Sequence, residues 1–387
     1  MTQDNLVTPA RPEDPPPPNR RTALAIMAGF AVAGVGGTLL GGRLLNPPAS
    51  TADGDFAGET VEFLIPLAEG GGTDTWARFV GAELVHKIPG VPGFAPVNEA
   101  GGEGITGTNH FVSSAPPDGT EVLVSTATTV VPWLLTRPAV RYDFTRLQPI
   151  LANGTGAVVY ARTGAGVSGL SDLVDRSTPL KFGGITATGL DLTTLLAFDL
   201  LEMDVDATFG FEGRGPVNLA LQRGEIDIDY TTTSTYASAV EPMEEAKTAV
   251  VLFCLGQLDE SGEVVRDPNF PDTPTVVEAY EELHGSAPSG PKLDAYKTVL
   301  GVTYTYQKAL WVPAETPKAV VDLMRTSSEA LAQDKDFEEA ADKVLGGYPL
   351  DAGADLATRI REAYTVDASV REHVITLLSS SYNVTVE

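Results

Sequence analysis

The chain has 387 residues, 43% of them hydrophobic and 20% charged, with a formal charge of −26 and a single cysteine. That length suits two cored domains, and the composition excludes disorder over most of the chain. The negative charge disfavours nucleic acid and anionic membrane surfaces, and one cysteine excludes an intrachain disulfide.

Residues 1–22 are polar and Pro-rich and end in Asn19-Arg20-Arg21-Thr22. The uncharged stretch Ala23 to Leu40 follows, closed by Arg43. A basic segment before an apolar one is the layout of an export signal. Arg20-Arg21 before a Gly-rich stretch is similar to a twin-arginine signal, although paired arginines also precede Sec signals. Cleavage after Ala52 and retention as an N-terminal membrane anchor are the two outcomes, since the stretch is close to the ~20 residues that span a bilayer. Residues 1–54 therefore read as signal or anchor plus linker. The folded part begins near Asp55, outside the cytoplasm, in the periplasm or at the cell surface.

From there apolar runs alternate with helical patterns. Val61–Ile65 reads as a strand, Asp74–Leu84 as a helix, Ala95–Asn98 as a strand, Ile105–Ser113 as a helix and Glu121–Ser125 as a strand. Leu151–Arg162, apolar and glycine-punctuated, is a candidate crossing to a second lobe. There, Leu170–Val174 suggests a helix, Leu180–Gly183 a strand, Leu190–Met203 a helix and Ala207–Phe211 a strand. Val217–Gln222 follows as a helix, with strands at Ile226–Tyr230 and Val250–Leu255. Asp259–Ser289 reads largely as surface loop, and Val302–Val312 as the return crossing. Helices are expected at Ala319–Gln333, Phe337–Val344 and Asp355–Leu378. Alternating strands and helices imply two α/β lobes, each a mainly parallel sheet flanked by helices, with ligand bound at the strands' carboxyl ends. The expected division is 55–157 plus 305–387 for the first lobe and 158–304 for the second. Two crossings between lobes make a hinge.

Several loops at strand ends carry ligand-binding character. In Pro66–Asp74, glycines let backbone approach a ligand and Thr73 or Asp74 caps a helix whose N–H groups attract an anion. Gly71, Gly72, Thr73 and Asp74 are the candidates there; a plain capped turn is the alternative. Gly101–Gly107 contains G-x-G-x-x-G at Gly102, Gly104 and Gly107. A dinucleotide site needs its acidic residue at the far end of the next strand, whereas Glu121 opens that strand. A second anion-facing loop, with Gly104 and Ile105, fits better. Ser125 and Thr126 are ligand donors or caps. In the second lobe the candidates are Thr186, Ala187, Thr188 and Gly189, then Phe211, Glu212 and Gly213, and Thr232. The four histidines are dispersed, so no metal site is expected. There is no G-x-S-x-G elbow, and no catalytic residue or cofactor is expected.

At these loops the sequence resembles the substrate-binding proteins of tripartite tricarboxylate transporters, the TctC or Bug family. Ile65-Pro66 through Gly71-Gly72-Thr73-Asp74 and Arg78 are similar to its opening motif. Asn98, Gly101, Gly104–Gly107, Pro117-Asp118-Gly119-Thr120 and Tyr142-Asp143 through Pro149 continue the series. Gln222–Asp227, Pro274-Thr275 with Glu278-Ala279, and Trp311–Ala314 with Thr316-Pro317 complete it, in order across roughly residues 60–350. The resemblance implies a type II periplasmic-binding-protein fold. It also implies a ligand carboxylate held by backbone N–H groups of the first two loops, and delivery by a monomer to membrane transporter subunits. Phe211-Glu212-Gly213 departs from the family's Tyr-Lys-Gly, which puts a dicarboxylate in doubt and favours a monocarboxylate, amino acid or aromatic acid. A ligand sensor on the same fold and a dinucleotide-dependent enzyme are the alternatives.

Overall fold

Thirteen strands appear in the computed structural model, which describes residues 54–259, 261–353 and 355–386. The export-signal and anchor readings fall outside those residues. In chain order the strands are Thr60–Ile65 (β1), Gly93–Asn98 (β2), Glu121–Thr126 (β3), Gln148–Asn153 (β4), Ala157–Arg162 (β5), Leu180–Gly184 (β6) and Val205–Phe209 (β7). Then come Ile228–Thr232 (β8), Ala249–Cys254 (β9), Gln257–Leu258 (β10), Val264–Val265 (β11), Lys308–Val312 (β12) and Leu350–Asp351 (β13). One sheet has the order β13-β4-β12-β3-β1-β2, and another β7-β6-β8-β5-β9, while β10 and β11 form a small hairpin. Two helix-flanked sheets make a two-lobed type II periplasmic-binding-protein architecture.

The sheets are more mixed than the mainly parallel ones expected. β1 runs parallel to β2 and β3, and β6 parallel to β7 and β8, as helical crossovers require. β12 runs antiparallel to β3 and β4, and β5 antiparallel to β8 and β9. The antiparallel strands are those at which the chain changes sheet, so no helical crossover sets their direction.

The crossings lie side by side. Thr155 N–H, between β4 and β5, donates to Tyr304 O at 2.9 Å in the π-helical turn Gly301–Thr305 that precedes β12. A Cβ on Gly154 would stand 3.1 Å from Thr305 O, and one on Gly156 only 1.7 Å from Asp267 Oδ2, so glycine at 156 is a steric requirement.

The helix Gly72–Leu84 buries Trp76, Ala77, Val80 and Leu84, a helical spacing, on one face of the first sheet. Three expected elements differ. Leu170–Asp172 is a single 3₁₀ turn. The presumed loop Asp259–Ser289 contains the helix Val276–His284, opened by a capping box in which Thr275 and Glu278 bond each other's backbone. The helix expected over Asp355–Leu378 is broken into Leu356–Ala363 and Ala368–Ser381. The latter buries Val370, Val374, Leu377 and Leu378 and packs mainly against the second lobe's helix Pro291–Leu300. His373 Nε2 stands 2.9 Å from Asp199 Oδ2, while Arg371 Nε donates to Leu134 O in the first lobe at 2.7 Å. Cys254 is buried, and burial pushes its thiol up to about 11. Among the described residues, no helix is long and apolar enough to cross a membrane.

Candidate functional site

The first loop leaves the carboxyl end of β1 and enters the helix Gly72–Leu84 with Gly71 as its N-cap. The N–H groups of Gly72, Thr73 and Asp74 open that helix and have no intrahelical acceptor. A Cβ on Gly72 would meet nothing within 4 Å, so the loop presents open space there. Asp74 does not face that space. Its buried carboxylate accepts from Gly70 N–H at 2.8 Å, Arg78 Nε at 2.8 Å and Asn98 Nδ2 at 2.9 Å. Asn98 also donates to Leu67 O at 3.0 Å. Burial by itself raises the Asp74 carboxyl; the Gly70 N–H, Asn98 and Arg78 outweigh it and hold it below its ordinary value. Asp74 thus fixes the shape of the loop.

The second loop packs on the first. Gly104 has φ 84°, and a Cβ there would lie 2.6 Å from Thr129 Cγ2 and 3.2 Å from Pro66 O. Gly107 is as close to Glu99 O, at 2.6 Å. Gly104 and Gly107 of the G-x-G-x-x-G pattern therefore serve close packing against neighbouring segments, and Ile105 opens the helix Ile105–Ser114 beside them. The third loop is mostly committed. Ser125 Oγ accepts from Trp311 Nε1 at 2.7 Å, and Thr126 N–H donates to Thr129 Oγ1 at 3.1 Å.

In the second lobe, Asp191 plays the part that Asp74 plays in the first. From the first turn of the helix Asp191–Leu200, its Oδ2 accepts from Ile185 N–H at 2.5 Å and Thr186 N–H at 3.0 Å. Tyr230 OH and Arg214 hold its other oxygen, at 2.7 and 3.3 Å. The shaped segment is Thr186–Gly189; Ala187, Thr188 and Gly189 are buried. A Cβ on Gly189 would lie 4.0 Å from Thr128 Oγ1 of the first lobe, so the two lobes approach there.

Glu103 bridges that approach. It lies in the second loop with φ 59°, a left-handed backbone uncommon outside glycine, and pairs with Arg137. The same carboxylate accepts from Thr186 Oγ1 at 3.1 Å and Thr188 Oγ1 at 3.2 Å. A second contact between lobes joins Tyr348 OH to Asp267, with Thr233 Oγ1 3.4 Å from the same hydroxyl. Among the expected residues, Phe211 turns into the second lobe's core and Glu212 is exposed. Gly213 is the N-cap of the helix Arg214–Gln222, and Thr232 that of Thr233–Ala239.

A cavity of about 510 Å³ lies between those last two helices. Its walls belong wholly to the second lobe, and its polar lining is largely paired within itself. Arg214 bonds Asp229 at 2.5 Å, Tyr160 OH bonds Asp229 at 3.1 Å, and Asn218 bonds Tyr160 OH at 2.8 Å. The N–H groups without an intrahelical acceptor lie instead at the start of Gly72–Leu84, in the loop that follows β1. Among the described residues there is no group of three or more His, Cys, Asp or Glu able to hold a metal ion.

No protein-family model and no curated protein sequence matches the chain. Solved structures do. A TctC solute-binding protein from Polaromonas superposes with a TM-score of 0.60 at 18% identity, over 82% of this chain and 98% of its own. The periplasmic binding protein BugD gives 0.56 at 18% identity, over 84% and 97%. MatC from Rhodopseudomonas palustris with bound malate gives 0.56 at 19%, over 82% and 98%. The chain has the fold of a periplasmic binding protein. The loops described above stand at the carboxyl ends of their strands, the end at which open α/β sheets bind ligands.

Sequence reasoning named residues of these loops and did not name Glu103, Arg137 and Asp191, which lie within or beside them. A carboxylate set among four glycines at 101, 102, 104 and 107 was the available signal for Glu103.

Proposed function

We propose that the protein is an extracytoplasmic solute-binding protein that captures a small organic carboxylate between its lobes and delivers it to a transporter of the tripartite tricarboxylate type. The observation that carries this reading is the open helix start at Gly72–Asp74, beside Gly104–Ile105 and opposite Thr186–Gly189. Free N–H groups at a helix start attract an anion, and glycine lets it come close. Thr186 and Thr188 on the other lobe close over that place through their bonds to Glu103. The ordered motif series over roughly residues 60–350 and the fold support the transporter assignment, and the malate bound to MatC supports the ligand class.

Thermal unfolding of the full chain against mono-, di- and tricarboxylates, aromatic acids, amino acids and nucleotides tests it. A ligand that binds only the native state raises the midpoint by mass action. A shift with acids alone is the expected result. A shift with nucleotides and none with acids would refute the reading.

A further inference from the structure

Strand β12 brings the chain back to the first sheet directly after the crossing turn, and its first residue is Lys308. In register, Lys308 lies opposite Thr126 of β3 on one side and Asn153 of β4 on the other. Each of those residues ends its strand at the crossing end of the sheet, where the ligand loops begin. Residues directly opposite in register project to the same face. The face is identified by Asn153, whose Oδ1 accepts from Trp76 Nε1 at 3.1 Å. Trp76 belongs to the first turns of Gly72–Leu84. Lys308 therefore shares the sheet face covered by the start of that helix, whose first N–H groups are open. Alternation along β12 agrees: Leu310 and Val312 pack in the same apolar cluster as Trp76, and Ala309 and Trp311 in the other.

At this place an acidic partner would be expected. The chain has 52 acidic residues against 26 basic ones, so carboxylates are in good supply. Yet the Lys308 ammonium donates to the side-chain oxygen of its neighbour Gln307, and no carboxylate among the described residues forms an ion pair with it. Carboxylates of the surrounding elements are engaged elsewhere: Asp74 with Arg78, Asp267 with Tyr348, Asp351 with Arg359. Burial is the one cause that moves the Lys308 ammonium, down to about 8, with no charged group offsetting it. A partly buried cation without a counter-ion costs stability, and such costs concentrate at functional positions.

We propose that Lys308 is the protein's cation for the bound anion, pairing with the ligand carboxylate seated at the start of the helix Gly72–Leu84. This deepens the solute-binding reading and rests on it. It makes Lys308 a specificity-determining residue that selects anions over neutral isosteres.

The test is calorimetric titration of the full chain at pH 7 with malate, adipate, benzoate and glutamate, for wild type, Lys308→Met and Lys308→Arg. Removing one partner of a desolvated charge pair predicts roughly a 30-fold or greater loss of affinity in Lys308→Met for whichever acid wild type binds best. Lys308→Arg keeps the charge and is expected to bind more tightly than Lys308→Met but less tightly than wild type, because the guanidinium is larger and planar. Without ligand, Lys308→Met is expected to melt at the same temperature or higher, because it removes an unpaired charge. Undiminished affinity in a folded Lys308→Met, or equal weakening in Lys308→Arg and Lys308→Met, would overturn the assignment. Wild type binding none of the acids would overturn the solute-binding reading and this assignment together.

Discussion

Replacing Glu103 with alanine removes the two hydrogen bonds that tie the Gly-rich loop of the first lobe to Thr186 and Thr188 of the second. Arg137 lies in the first lobe, so its pairing with Glu103 contributes nothing to closure. Only the hydroxyl contacts, at 3.1 and 3.2 Å, cross between lobes. The Glu103 side chain is 32% exposed, so solvent screening takes each bond below the range for charged acceptors, to about 0.75 kcal/mol. Together they are worth about 1.5 kcal/mol, or roughly tenfold in the ratio of closed to open forms. If that ratio is about ten in the wild type, it falls to about one in Glu103→Ala, and an affinity that needs the closed form weakens by only about twofold. The population is thus the sensitive readout. Glu69 and Thr208 are exposed, one in each lobe near the cleft end, and buried Cys254 is the one native thiol. Spin labels at Glu69→Cys and Thr208→Cys should report one dominant distance in the wild type and a second, longer one in Glu103→Ala. An unchanged distance distribution would show that the bridge does not hold the lobes together.

Gly72→Val places its side chain in open space at the helix start, so ligand affinity should fall by about tenfold or more with the thermal midpoint unchanged, as melting and titration together would show. Asp74→Asn should lower stability by about 2–3 kcal/mol in urea titration, because Arg78, Asn98 and Gly70 N–H lose a charged acceptor. The Asp74 carboxyl is held below its ordinary value, so its contribution is complete above pH ~4, the unfolded value, and is lost as pH falls through the folded one. Wild type should therefore lose stability below pH ~4 more steeply than Asp74→Asn. Gly156→Ala drives a Cβ into Asp267 and Tyr348, and should cost about 3 kcal/mol or more in the same titration.

Much of the architecture was legible because each lobe is built from short apolar runs and helices with strong periodicity, from Val61–Ile65 to Ala319–Gln333. Strand direction was not. β5 and β12 carry the same apolar pattern whether they run parallel or antiparallel, and only their neighbours decide. The helix Val276–His284 was readable in principle from Thr275-Val276-Val277-Glu278, a capping box, but the surrounding Asp, Pro and Gly masked it. Breaking of the last helix at Thr365-Val366-Asp367 follows from packing, since the two halves cover different lobes. At the site, glycine and hydroxyl loops announced themselves by composition. The partners that take up the Asp74 carboxylate, Gly70 N–H, Arg78 and Asn98, cannot be read from a motif. Lys308 gave no local signal: a lysine opening a strand is ordinary until register places it under a particular helix.

The last helix also bears on how the molecule moves. Tyr364 packs against Trp133 and Trp311, and four residues later Ala368–Ser381 starts along the second lobe's helices. The chain therefore passes between lobes a third time. Two adjacent tethers form an axle that permits a wide swing; a third narrows that swing to a shallow roll. Under the proposed function, solute exchange asks only that the contact at Glu103 come undone, while Tyr348 and Asp267, packed on the crossing at Gly156, stay together. A fluorescent reporter joined to the C-terminus would ride with the second lobe, turning that roll into a signal without a label placed near the cleft.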